Sequence, residues 1–95
     1  KFPTVYRDLA FILDKNVTYS DIKELVFKSG IKNLNDMKLF DVYEGDKIPK
    51  GKKSYAMNFS ISNNDRTLND KDINEIMNKI QRQIENKFNA ILRDK

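Results

Sequence analysis

Apolar residues recur along this chain in two periods, one of two and one of three to four. Over Arg7–Asp14, Leu9, Phe11 and Leu13 alternate with Ala10 and Ile12. Side chains two apart share a strand face, so this run is apolar on both faces, as suits a central strand. A longer alternation from Lys53 to Ile61 sets Tyr55, Met57, Phe59 and Ile61 on the core side and small polar residues on the other. Leu34 to Tyr43 predicts a further strand. Within it, strict alternation turns Phe40 and Val42 to the core and shows Leu39, Asp41 and Tyr43 on the opposite face.

Two segments repeat at helical spacing instead. Ile22, Leu25, Val26 and Ser29 follow Thr18, a hydroxyl N-cap with Asp21 three residues on, and precede Gly30, which suits a left-handed C-cap. That pattern predicts a helix of about 11 residues. From Asp70 to about Lys87, Ile73, Ile76, Met77, Ile80, Ile84 and Phe88 step by threes and fours behind Asn69, a good N-cap. Asp70 and Asp72 fall in its first turn, where they suit the helix dipole, and Asn74, Asn78, Lys79, Arg82 and Glu85 form a solvated face. Phe88 to Arg93 then predicts a short last strand, with Ala90 and Leu92 toward the core and Ile91 and Arg93 away from it. The order strand, helix, strand, strand, helix, strand is that of an α+β, split βαβ or ferredoxin-like sandwich: a four-stranded antiparallel sheet with two helices on one face. Its other face is bare.

Asp41 and Tyr43 stand about 7 Å apart on that bare face. If the second and third strands pair across the turn-rich connection Glu44 to Lys52, Ser54 joins them, and small neighbours leave room for a flat ligand. Solvent-side residues of an ordinary half-exposed sheet would look the same, so spacing alone leaves both readings open.

Composition narrows the chemistry. A chain of 95 residues forms one domain, able to bury roughly 60–70% of its unfolded surface. Without cysteine or histidine, disulfides, thiolate nucleophiles, Cys/His zinc sites and Ser-His relays are excluded. The net charge of +4, from 18 basic and 14 acidic residues, leans mildly toward a polyanionic partner. Lys47, Lys50, Lys52 and Lys53 concentrate that charge on one connection, where they serve either phosphate contact or solubility. No apolar run approaches the roughly 20 residues that span a bilayer, and no signal-peptide pattern opens the chain; a cytoplasmic domain with no membrane partner is expected. Lys1-Phe2-Pro3 starts without methionine, as a piece of a longer protein would.

Phe2-Pro3, Arg7-Asp8-Leu9-Ala10, Leu39-Phe40-Asp41-Val42-Tyr43, Gly51-Lys52-Lys53-Ser54, Arg66-Thr67-Leu68 and Leu92-Arg93 together resemble, in order and spacing across the whole chain, the motifs of the ferredoxin-fold anticodon-binding domain. That domain ends the β chain of bacterial phenylalanyl-tRNA synthetase, and a mitochondrial monomeric synthetase ends in one too. The resemblance implies a non-catalytic appendage that grips the anticodon stem-loop of tRNA(Phe). Charging with ATP and Mg2+ would take place elsewhere in an α2β2 enzyme, whose α chain this domain would meet through its parent β chain. It further implies that Asp41, Tyr43 and Ser54 belong to the anticodon-facing surface; if RNA is the partner, the basic connection predicts phosphate contacts drawn from Lys47, Lys50, Lys52, Lys53 and Arg93. The first anticodon base of most phenylalanine tRNAs is guanine, whose two adjacent donors both oxygens of Asp41 can accept while Tyr43 stacks on the ring. The chain departs from many relatives at Tyr55, where they carry Leu, and at Asn69, where they carry Thr; the first is expected to be a core exchange and the second one N-cap for another. The competing reading is a ferredoxin-like small-ligand or protein-interaction module that does not bind RNA. A phosphate-handling hydrolase would want glycine and arginine after the first strand, and Asp14-Lys15-Asn16-Val17 offers neither.

Overall fold

The computed structural model describes residues 2–93; Lys1, the start of the expected extended approach, lies outside them. The elements run β1 (Val5–Asp14), α1 (Tyr19–Lys28), β2 (Leu34–Tyr43), β3 (Lys52–Ile61), α2 (Asp70–Phe88) and β4 (Ile91–Leu92). The strands form one sheet in the order β2-β3-β1-β4, and every neighbouring pair is antiparallel. This is the ferredoxin-like α+β sandwich that the hydrophobic pattern predicts.

Both helices start where side chains can satisfy their orphan N–H groups. The Asp21 N–H donates to Thr18 Oγ1 at 3.1 Å and the Thr18 N–H to Asp21 Oδ2 at 3.3 Å. At α2 the Asp72 N–H donates to Asn69 Oδ1 at 2.8 Å and the Asn69 N–H to Asp72 Oδ2 at 3.0 Å. Asn69 is therefore the N-cap its position implies. α1 closes at Ser29 and turns at Gly30 with φ +68°. α2 runs to Phe88 and is ended by Asn89 in the left-handed conformation. The last strand is accordingly shorter than expected: Phe88 stays helical, and only Ile91 and Leu92 pair with β1.

One face of the sheet meets the helices. Phe11 and Leu13 of β1 and Met57, Phe59 and Ile61 of β3 pack with Ile22 and Val26 of α1 and Ile73, Ile76, Ile80 and Ile84 of α2. Tyr55 is buried among them and its hydroxyl donates to the Val17 carbonyl at 2.9 Å, so it is a core residue with its polar tip satisfied. Ala90 is buried, Leu92 packs against the core, and Ile91 is exposed, as the alternation after α2 requires.

β2 departs from strict alternation. Phe40 and Val42, expected beneath the helices, are 58% and 48% exposed. Leu39 lies opposite Met57 and Asp41 opposite Ala56, so Phe40 is an extra residue in a β-bulge. The bulge turns Leu39 to the core and Phe40 outward, reversing the expected face of both. Val42 opposite Tyr55 keeps the helix-side register but sits near the end of an edge strand, where less covers it.

Candidate nucleic-acid interface

The register lays out the helix-free face in rows. Tyr43, Ser54, Ile12 and Ile91 lie side by side across the four strands. In the next row come Asp41, Ala56 and Ala10, extended by Arg93, whose N–H donates to the Ala10 carbonyl at 2.8 Å. Lys38, Asn58 and Asp8 follow, with the Asn58 amide donating to Asp8 Oδ1 at 2.8 Å. Because Ala10 and Ala56 are short, the middle row sinks into a groove of about 450 Å³, walled by Phe40 on one side and Arg93 on the other, with Asp8 at its rim.

Tyr43 is held from two directions. The Arg93 guanidinium carbon lies 5.2 Å from its ring centroid, within reach of a cation–π contact. A second constraint, at the hydroxyl end of the ring, is Gly45: a Cβ there would stand 2.7 Å from Tyr43 Cζ, so only glycine lets the ring lie where it does. Gly45 also opens a turn in which its carbonyl accepts from the Ile48 N–H at 3.0 Å, and burial of Ile48 anchors that turn.

The residues singled out from sequence divide accordingly. Asp41 and Tyr43 are on the open face, Asp41 exposed and Tyr43 half-buried, and Arg93 joins them over the groove. Ser54, expected to be exposed, is only 2% exposed: its short side chain lies in the row between Tyr43 and Ile12, and these larger neighbours leave it little surface. Lys50 is exposed in the turn before β3. Lys52 Nζ lies 2.8 Å from Asp14 Oδ1, so its charge is already matched. Lys53 pairs with buried Leu13 and sets its ammonium 4.6 Å from the Tyr55 ring centroid. It therefore projects on the helix-bearing side, away from Asp41 and Tyr43.

Phe40, Asp8, Ala10 and Ala56 were not among the expected site residues. The signal for Phe40 is that Met37 and Leu39 share a face in an alternating strand, and so do Leu39 and Asp41. Leu39 cannot serve the core and a polar surface at once unless an extra residue intervenes.

Chemically the face offers the aromatic rings of Tyr6, Phe40 and Tyr43, one guanidinium, carboxylate acceptors and a shallow apolar floor. This is a set suited to stacking and edge recognition of unpaired bases. No helix among the described residues is long and apolar enough to cross a membrane. Comparison with known proteins points the same way. The chain is similar to the phenylalanine–tRNA ligase beta subunits of Bacteroides thetaiotaomicron and Porphyromonas gingivalis, each 50% identical over 98% of this chain. That of Clostridium tetani is 45% identical over the same share. The chain spans only 11–12% of the length of these relatives. The family model described as the ferredoxin-fold anticodon binding domain matches residues 1–93, and with that match and this fold the chain belongs to the ferredoxin-fold anticodon binding domain family.

Proposed function

We propose that this domain is the anticodon-gripping part of a phenylalanine–tRNA ligase beta subunit and holds the anticodon stem-loop of tRNA(Phe) on its open sheet face. The observation that carries this is the convergence of Asp41, Tyr43 and Arg93 on the helix-free face of a chain of this family. Asp41 accepts from the Watson–Crick edge of the first anticodon base, Tyr43 stacks, and Arg93 with Lys50 meets phosphates. Ser54, nearly covered, supports Tyr43 from the adjacent strand and reaches the RNA only at its edge. Lys52 acts through its pair with Asp14, and Lys53 is the least favourably placed of the basic set. The parent enzyme is a cytoplasmic α2β2 assembly in which charging with ATP and Mg2+ occurs in other domains. Among the described residues no group of three or more Asp, Glu, His or Cys side chains could hold a metal.

The test is binding or charging of tRNAs carrying guanine, inosine or adenine at the first anticodon position. Asp41→Asn replaces one acceptor by a donor, so it should cost about 1–3 kcal/mol with guanine, as for a bidentate base contact, and blunt the preference over adenine. Tyr43→Ala should cost about 1–3 kcal/mol with every base, and Tyr43→Phe almost nothing. Equal losses with guanine and adenine in Asp41→Asn would make Asp41 a structural acceptor instead.

A further inference from the structure

The bulge in β2 supplies a ring that strict alternation would have buried. Phe40 is 58% exposed, in a protein whose other phenylalanines include the fully buried Phe11 and Phe59. It stands against a groove whose floor is Ala10 and Ala56 and whose far wall is Arg93. Larger side chains at 10 or 56 would fill that space. The volume of about 450 Å³ falls in the ~300–1,000 Å³ range of clefts that enclose small ligands, enough for a planar ring. Tyr43, by contrast, has its ring confined by Arg93 and Gly45.

What fits such a groove is a flat, apolar-faced group tethered to negative charge. Aromatic faces and arginine planes are the two side-chain surfaces on which unpaired bases stack, and here one of each lines the same groove, on either side of an apolar floor. At the rim, Asp8 adds an acceptor already oriented by the Asn58 amide at 2.8 Å. Phe40 and Tyr43 are three residues apart, roughly 10 Å along a strand. That separation is too long for both rings to sandwich a single base, so the rings serve different nucleotides.

We infer that Phe40 is a second stacking platform, taking an unpaired anticodon-loop base other than the one on Tyr43 into the groove between Phe40 and Arg93. This rests on the anticodon reading above. The β-bulge is then a functional device, because it lifts a core-type residue onto the binding face without changing the register of Tyr43.

The experiment uses the intact ligase and an anticodon stem-loop carrying 2-aminopurine at one loop position at a time. Phe40→Leu keeps the apolar bulk and removes the ring; it should weaken binding about 5- to 150-fold and leave the salt dependence unchanged. It should also release the stacking quench at one loop position, different from the position released by Tyr43→Ala. Phe40→Trp should restore both affinity and quench. Binding by Phe40→Leu within twofold of wild type, or release at the same position as Tyr43→Ala, overturns the inference. If Tyr43→Ala weakens binding and Phe40→Leu does not, the second platform alone falls. If neither variant matters and binding survives removal of the whole domain, the anticodon reading falls with it.

Discussion

Replacing Gly45 by alanine isolates the placement of Tyr43 from everything else in the fold. The new methyl would lie 2.7 Å from Tyr43 Cζ and closer still to its hydroxyl. Unstrained carbon contacts fall at about 3.5–4.0 Å, so the ring has to retreat by nearly 1 Å. The clash is with the far end of a side chain, not with backbone, and Gly45 does not have a positive φ. The fold should therefore survive: at most about 0.5–1 kcal/mol is lost from the Tyr43–Arg93 contact, so its thermal midpoint should fall by no more than roughly 2–8 °C. Binding should suffer more, because base stacking is worth about 1–3 kcal/mol and depends on the ring's position. The assay is a double-mutant cycle on tRNA affinity with Gly45→Ala and Tyr43→Ala. If Gly45 acts only through Tyr43, the double variant should bind no worse than Tyr43→Ala alone. Full additivity of the two losses, or wild-type affinity in Gly45→Ala, would refute the reasoning.

Other expectations follow from the ion pairs and the caps. The Arg66 guanidinium, 2.7 Å away, followed by the Asn69 N–H, holds the Asp72 carboxyl below its ordinary value of 3.8. A depressed carboxylate contributes stability above its unfolded value and loses it as pH falls through the folded one; urea unfolding of Asp72→Asn between pH 7 and pH 2 should show a flatter acid limb than wild type. At the other end of the charge inventory, neutralising Lys50 should reduce the log–log salt slope of RNA binding by about 0.7. Neutralising Lys53 should leave that slope unchanged, since its ammonium projects on the helix-bearing side. An equal reduction by both would contradict the placement of Lys53.

The sequence made most of the fold legible because most of it obeys one period at a time. Ile73, Ile76, Ile80 and Ile84 mark the buried stripe of α2, and Tyr55, Met57, Phe59 and Ile61 the buried side of β3. The caps at Thr18 and Asn69 sit where their residue types imply. The site was less legible for a local reason: one inserted residue at Phe40 shifts the face of everything before it, so Asp41 and Tyr43 kept their expected face and Phe40 and Leu39 did not. Ser54 was misjudged because a small polar residue on an open face is covered when its row neighbours are Tyr43 and Ile12. Lys53 stands two residues before Tyr55, so the alternation that buries Tyr55 also turns Lys53 to the helix side, and its pairing with Leu13 agrees. β4 shrank to two residues because Asn89, not Lys87, ends α2.

The central claim is that the helix-free face of the sheet is the RNA face. Ile91 lies on that face in the row of Tyr43 and is 66% exposed, whereas Phe27 is 41% exposed on α1. A photo-crosslinking phenylalanine analogue placed at either position in the intact ligase, bound to tRNA(Phe) and irradiated, reads the claim directly. Crosslinks from position 91 to the anticodon loop, with none from position 27, are the predicted result; anticodon-loop crosslinks from position 27 and none from 91 would contradict it.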